Sequence, residues 1–299
     1  MRIAEGQEFA VVVPTRGRGP QLHRLLDELE AQTDRDFEVV IVNQSDRVDR
    51  RLESRSRANG RIHLIRDSGC GASRARNVGM RAVGSEWIAY LDDDCLPERD
   101  WAAQLRQELR SKEEADMVMG DIGASEAPSD CYPIGVFEVS EPTVVRGRWA
   151  RPWRVGHSAC VAIRHAALER LGGWDERFGP GVKDFPACED MDLNYRLTRS
   201  GGAAYLTPRV RSQHEQWRTA DELLELYRGY SRGWGGLVTK QLRNGDPLGA
   251  GLLAAGRLRG ILRAVLGAVA DRSGFGLRLA LEQLRGFAHG LALGSRRSW

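Results

Sequence analysis

Short, nearly continuous apolar runs alternate with segments of helical spacing over the first part of the chain. Phe9 to Pro14, Phe37 to Val42, Ile62 to Ile65, Trp87 to Leu91 and Met117 to Asp121 are mostly apolar at successive positions, not at every second one. That pattern predicts strands buried on both faces. Between the first two runs, Leu22, Leu25, Leu26 and Leu29 repeat at helical spacing behind Pro20, which suits the first turn of a helix. Further helices are expected from Asp46 to about Ala58, from Ala72 or Ser73 to about Val83, and from Trp101 to about Ser111. Strand and helix in alternation predict an α/β fold, a mostly parallel sheet with helices on both faces. Ligands of such sheets collect at the carboxyl ends of the strands. Here those ends carry Thr15-Arg16, Asn43 to Asp46, Asp67-Ser68-Gly69 and Asp92 to Asp94. Together they look like a nucleotide site.

The second part is less regular. Gly123 to Arg154, with Pro128, Pro133, Pro142 and Pro152, is long for a loop in a compact domain, and such loops are usually lids, binding loops or disordered. A strand from His157 to Ile163 and a helix from Ala166 to Leu171 follow. Glu189-Asp190-Met191-Asp192 opens another helix, Ala203 to Leu206 is a last strand, and a helix begins near Asp221. Pro247 to Ala270 and Phe275 to Leu293 read as two further helices of mixed apolar and basic character.

One stretch carries the chemistry. The apolar run Trp87 to Leu91 leads directly into Asp92-Asp93-Asp94. Two ionised carboxylates about 6 Å apart repel by roughly 3 kcal/mol at an effective dielectric of 20. Cys95-Leu96-Pro97-Glu98 offers them no neutralising partner. The cluster is therefore either an acidic loop tip or a site for a cation. Were the backbone to stay extended, Asp92 and Asp94 would share one side and Asp93 the other. That arrangement supplies oxygen ligands suited to Mg2+ or Mn2+.

Composition narrows the class without naming it. Of 299 residues, 41% are hydrophobic and 28% charged, which is ordinary for a soluble globular protein. A net charge of +3 is too small to argue for nucleic acid. Cys70, Cys95, Cys131, Cys160 and Cys188 form no C-x-x-C pair, which argues against a disulfide framework or structural zinc and for a reducing, cytoplasmic setting. Met1 to Glu8 shows no apolar signal core, and no uncharged apolar run is long enough to span a bilayer. The tail is distinctive. Arginines at 257, 259, 263, 272, 278, 285, 296 and 297 face only Asp271 and Glu282. Apolar helices with this charge can lie on an anionic membrane. They also suit a hairpin packed on the rest of the chain, or an oligomer surface.

The order of motifs resembles the family 2 glycosyltransferases of GT-A fold. Val12-Val13-Pro14-Thr15, Gly71-x4-Arg76-Asn77-x-Gly79, Asp92-Asp93-Asp94, Gly172-Gly173-Trp174-Asp175-Glu176, Glu189-Asp190-x-Asp192-Leu193 and a later His214 appear in sequence. They cover roughly Glu8 to Trp217. The resemblance implies a catalytic domain over 1–218, its nucleotide half ending near 121 and its acceptor half spanning 122–218, followed by a helical region over 219–299. It implies transfer of a sugar from a nucleoside-diphosphate sugar to a hydroxyl acceptor, a glycan, glycolipid or lipid-linked saccharide, with inversion.

Roles follow residue by residue. The donor is expected on Pro14, Thr15, Arg16, Asn43, Ser45, Arg74, Arg76, Asn77, Asp92 and Asp93. Asp94 and Asp92 would hold Mn2+ or Mg2+, and a nitrogen from His214 would favour Mn2+. Asp190 would be the general base, with Glu189 the alternative, although capping the helix is open to any one of Glu189, Asp190 and Asp192. Trp174 and Asp175 would face the acceptor. The family usually has an acid after its second strand, where this chain has Asn43-Gln44-Ser45-Asp46; Asn43 can still bond a base edge. Two other readings compete: a nucleotidyltransferase that activates sugars, and a non-catalytic carbohydrate-binding or assembly subunit. The first lacks the expected lysine after the first strand; the second would need a disabled acid cluster.

Overall fold

The computed structural model describes residues 2–126, 131–216 and 218–299. Pro128 and Trp217 lie outside the described residues. Strands β1 (Phe9–Thr15), β2 (Glu38–Asn43), β3 (Ile62–Arg66) and β4 (Trp87–Leu91) run parallel in the order β3-β2-β1-β4. Every residue of β1 and β4 is buried, as their unbroken apolar character requires. Helices α1 (Gly19–Glu30), α2 (Arg50–Ala58), α3 (Ala72–Ala82) and α4 (Trp101–Ser111) connect or flank these strands. α3 lies close on β1: a Cβ at Gly79 would come 2.3 Å from Val12 Cγ1. The glycine of the Arg-Asn-x-Gly motif is thus a packing requirement.

Beyond β4 the sheet becomes mixed. It continues through β8 (Cys160–Arg164), β6 (Met117–Ala124), β9 (Ala203–His214) and β5 (Cys95–Pro97), with β7 (Thr143–Arg146) also on β9. β8 is antiparallel to both β4 and β6, while β9 is parallel to β6 and antiparallel to β5 and β7. Helices α5 (His165–Leu171) and α6 (Glu189–Arg199) complete this half. The expectation of a mostly parallel sheet therefore holds for β1 to β4, and the second half departs from it.

The C-terminal region is three long helices, α7 (Ala220–Arg243), α8 (Pro247–Ala270) and α9 (Gly274–Ser295). Glycines let α9 lie against α7; a Cβ at Gly290 would sit 2.1 Å from the Arg232 carbonyl oxygen. These helices share a core with the sheet-bearing part, in which Leu237, Leu253 and Phe287 pack with Phe178, Phe185 and Tyr195. Trp299 stacks on both Phe178 and Phe185, at 5.7 and 5.4 Å between ring centres. One face of the tail is therefore a packed face, and Arg257 is turned inward onto Gln283 at 3.0 Å.

A buried ion network fastens α7 to α6. Lys240 Nζ donates to Asp192, which is fully buried, and to Asp175 Oδ2 at 2.7 Å. Arg196 Nε holds the other Asp192 oxygen at 2.7 Å. Removing one partner of a buried ion pair costs about 3–5 kcal/mol, because the remaining charge is left uncompensated. Lys240→Ala should lower the unfolding free energy by an amount of that order in urea denaturation. A loss below about 1 kcal/mol, the scale of an exposed pair, would mean that the network is not sealed from water.

Candidate active site

The acids of the β4 end do not stay extended. The Cys95 amide donates to the Asp92 carbonyl at 3.1 Å, so Asp92 to Asp94 form a tight turn before β5. This sends the three carboxylates to different partners and replaces the alternation expected of a strand. Asp92 Oδ1 accepts from Arg76 Nη2 at 2.7 Å. Asp93 accepts from Thr15 Oγ1 at 2.7 Å and from Arg18 Nη1 at 2.9 Å. Asp94 Oδ2 accepts from the same Arg18 nitrogen at 2.6 Å.

Strand register supplies the next element. Cys95 on β5 lies opposite His214, the last residue of β9. Asp94 and His214 are thereby brought together, with Asp94 Oδ1 3.6 Å from His214 Nε2. His214 Nδ1 lies 2.9 Å from the Glu215 carbonyl oxygen, so Nδ1–H donates there and Nε2 is the nitrogen that faces Asp94. Asp94, Cys95 and His214 cluster tightly enough to hold one ion. A carboxylate and an oriented imidazole suit Mn2+, and less strongly Mg2+. The Cys95 thiol is a poor third ligand for a hard ion, since burial and then the neighbouring acids push its pKa well up. Asp92, expected to share the metal, is turned instead to Arg76.

Arg76 is the central cation of the site. It is fully buried and bridges Asp92 on one side to Glu189 Oε1 on the other, at 3.1 Å. Its guanidinium lies 4.9 Å from the centre of the Trp174 ring. Burial lowers the Arg76 pKa, but Asp92 and Glu189 outweigh it, so the net shift is upward and the cation is secure. Burial raises Asp92, yet the same Arg76 charge brings it below its ordinary value. Asp93 goes the other way: burial lifts it to about 7, Asp94 adds to the rise, and Arg18 only partly offsets it.

The first turn of α6 presents three acids with three fates. Glu189 is held by Arg76, and Asp192 by Lys240 and Arg196. Asp190 is half-buried and has no ion-pair partner among the described residues; its Oδ1 accepts from the adjacent Met191 amide, at 2.6 Å. Burial, and for Glu189 also the repulsion of Asp190, pushes both carboxyls of this pair above the usual range. Cys188 before them takes a left-handed conformation, φ 74°, uncommon for a residue with a side chain.

A half-open cleft of about 230 Å3 lies at these strand ends, lined among others by Pro14, Thr15, Arg16, Arg76, Asp92 and Asp93. Other expected residues lie around it with work of their own. Asn43 Oδ1 accepts from the Ser45 amide at 2.8 Å, shaping the β2 turn. Arg74 is clamped by Asp67 at 2.9 Å. Asn77 pins the Gly-Gly-Trp turn, bonding both the amide and carbonyl of Trp174 at 2.8 Å. Trp174 and Asp175, expected to wall the acceptor side, have a different setting. Trp174 is 3% exposed and packs edge-on against Tyr90 beneath Arg76. Asp175 is engaged by Arg177 and Lys240. Both residues have partners within the fold, and both also line an open recess with Asn77, Arg81 and Arg196.

Three side chains of the site were not marked by the sequence reading. Arg18 sits on the acids, Gln44 joins Asp67 to the Gly71 amide, and Lys240 anchors α7. The spacing Arg16-x-Arg18 beside the first strand end was a signal for Arg18. Gln44 and Lys240 had none.

Comparison with known proteins shows the family and the fold. The "Pre-mycofactocin glycosyltransferase" of Mycobacterium tuberculosis is 24% identical over 217 residues, covering 70% of this chain and 43% of that protein. The "O-antigen biosynthesis protein RfbC" of Myxococcus xanthus is 27% identical over 250 residues, covering 73% and 18%. The chain thus spans less than half the length of these curated relatives. Among solved structures, the mannosyltransferase PcManGT of Pyrobaculum calidifontis, in complex with GDP-Man and Mn2+, superposes with a TM-score of 0.61 at 16% identity, covering 99% of this chain and 89% of that one. Residues 1–349 of S. aureus TarS in complex with UDP-GlcNAc give 0.57 at 15% identity, covering 79% and 72%. These likenesses carry the GT-A-like fold. The profile described as "Glycosyl transferase family 2" matches residues 10–172, more than half of the chain, and the protein belongs to that family of glycosyltransferases.

Proposed function

We propose that this glycosyltransferase moves a sugar from a nucleoside-diphosphate donor to a hydroxyl acceptor with inversion, using Asp190 as base and a divalent metal at Asp94 and His214. The observation that carries the reading is the meeting, at one sheet edge, of Asp94 with His214 and of Arg76 with Asp92 and Glu189. Mn2+ or Mg2+ bound there supplies Lewis-acid charge for the departing diphosphate. The chain's own residues do the rest. Thr15, Arg16 and Arg76 line the donor cleft, with Asn43 and Ser45 at its base-side turn. Arg76 fixes Asp92 and Glu189 and leaves Asp190 to accept the proton of the attacking hydroxyl. Trp174 supports Arg76 from behind.

Solved neighbours are in complex with UDP, UDP-GlcNAc or GDP-Man, so UDP- and GDP-sugars are the first donors to offer. Release of UDP or GDP should depend on Mn2+ or Mg2+ and occur with donors of one base class. Release of inorganic pyrophosphate instead would point to nucleotidyl transfer and sink this reading.

The acceptor reading follows from the tail. Leu258, Leu262, Leu266 and Val269 of α8 and Leu277, Leu281 and Leu284 of α9 are 43–60% exposed. Arg259, Arg263, Arg272, Arg278 and Arg285 are exposed among them. No helix among the described residues is long and apolar enough to cross a membrane. We place this face on the anionic cytoplasmic surface of a membrane, where a lipid-linked saccharide acceptor would be met. Each basic residue there contributes roughly 1 kcal/mol, falling with salt. Pairing with a second copy would set these arginines against each other. The protein should sediment with anionic liposomes at low salt and not with neutral ones. Leu262→Ser with Leu266→Ser should weaken this by at least tenfold, as removal of about 1.5–3 kcal/mol per buried leucine requires. A protein that stays in the supernatant, or sediments as a dimer without lipid, would make this an oligomer face.

A further inference from the structure

The loop between β1 and α1 sets a protein cation on the acids that the metal reading needs. Arg18 Nη1 is 2.9 Å from Asp93 Oδ1 and 2.6 Å from Asp94 Oδ2. Thr15 Oγ1 fixes the second oxygen of Asp93, while Asp94 turns its other oxygen toward His214. Arg18 is not sealed in. Its side chain is 35% exposed, it lines the donor cleft, and it stands between Gly17 and Gly19, the former with φ +77°.

We propose that Arg18 is the resident counter-cation of the Asp93–Asp94 pair, excluding a bare divalent ion and yielding the carboxylates when a donor diphosphate draws the guanidinium away. This rests on the metal reading given above. Guanidinium and metal ion would share the Asp94 carboxylate, the one on Oδ2 and the other on the Oδ1 that faces His214, and their like charges repel at such range. Phosphate oxygens match the planar guanidinium fork as well as carboxylates do. A diphosphate in the cleft therefore gives Arg18 an alternative partner of equal kind, without taking it out of the site. Metal and diphosphate would then be thermodynamically coupled, each tightening the other by the same factor. Neither needs to bind first. The consequence is that the metal site becomes strong only in the presence of the donor.

The test uses the full chain, stripped with EDTA, and reads free Mn2+ by electron paramagnetic resonance. Titrations are run with Mn2+ alone and with UDP or GDP, subtracting the Mn2+ that each nucleotide binds without protein. Wild type should bind Mn2+ weakly alone and more tightly with its nucleotide, by about 5- to 150-fold, the usual span of coupling between sites. Arg18→Gln should bind Mn2+ alone about tenfold or more tighter than wild type, as loss of a competing cation demands, and should lose most of the nucleotide's effect. Arg18→Lys keeps the charge without the fork, so bare Mn2+ should still bind weakly while the nucleotide's effect shrinks. A folded Arg18→Gln variant that binds Mn2+ no tighter than wild type overturns the proposal, as does an Arg18→Lys variant that behaves like the glutamine one. Wild type that binds no Mn2+ even with nucleotide overturns the metal reading itself, which separates the two failures.

Discussion

Asp94→Ala should abolish sugar transfer while leaving the fold intact. Asp94 is the carboxylate that shares the His214 face, and no other described carboxylate replaces it there. A metal contributes several kcal/mol of charge stabilisation to a departing diphosphate, and each 1.36 kcal/mol is tenfold in rate. The expected loss is therefore about a thousandfold or more. Nucleotide release from UDP- and GDP-sugars measures it, and thermal melting checks the fold. Arg18 retains Asp93 in the variant, and a source of like-charge repulsion has been removed, so the melting temperature should move little. The same experiment has a control in the wild-type protein. Donor binding and turnover that survive EDTA unchanged would remove the metal from the mechanism, and with it this role of Asp94.

The parts of this fold that were legible from sequence are those whose burial leaves a simple trace. β1 and β4 are covered on both faces, so their apolar runs are continuous and could be read directly. β9 is different. Over Arg209 to His214 exposed and buried positions alternate, but the inward ones include Ser212 and His214 and the strand contains Pro208, so the period is disguised. Only its first residues, Ala203 to Leu206, were recognisable. β5 has three residues and exists because it pairs with β9; such a strand has no pattern of its own.

The site divides along the same line. The acidic triplet stands out because a buried-strand end rarely needs clustered charge; the Glu-Asp pair, at a helix start where acids are common, stands out by its place in the order of motifs. Which carboxylate meets which cation is set by long-range packing. Arg18 is 75 positions from Asp93, and Lys240 is 48 from Asp192. The turn at Asp92 also had no local signal, since no glycine or proline interrupts the three acids. An extended reading was the natural one, and the hydrogen bond to the Cys95 amide overrules it. The setting of Trp174 had no local signal either: an aromatic beside an acid in a turn reads as a surface pair, whereas Asn77, Tyr90 and Arg76 draw this one inward.

Asp190→Asn should cost about 10²- to 10⁴-fold in rate, the usual contribution of general base catalysis, with donor affinity held within a few-fold. Geometry separates Asp190 from its two acidic neighbours. Glu189 is committed to Arg76 and Asp192 to Lys240 and Arg196, so their lone pairs and charge are already engaged. Asp190 is the acid of this turn that is left open to a substrate hydroxyl. Burial raises its pKa, which brings it closer to the working pH and makes it a better base than an ordinary carboxylate. The base must be ionised to act, so wild-type activity should rise with pH through that raised value; the asparagine variant should lose this limb of the profile. Stability carries an independent signature of opposite sign. A carboxyl whose folded pKa exceeds its unfolded one binds its proton more tightly when folded, so stability falls as pH rises between the two values. Asparagine cannot ionise, and the variant should therefore melt at the same temperature as wild type or higher at neutral pH. A variant that keeps most of its rate would transfer the role to Glu189 or imply retention at the anomeric carbon, and Glu189→Gln distinguishes those outcomes.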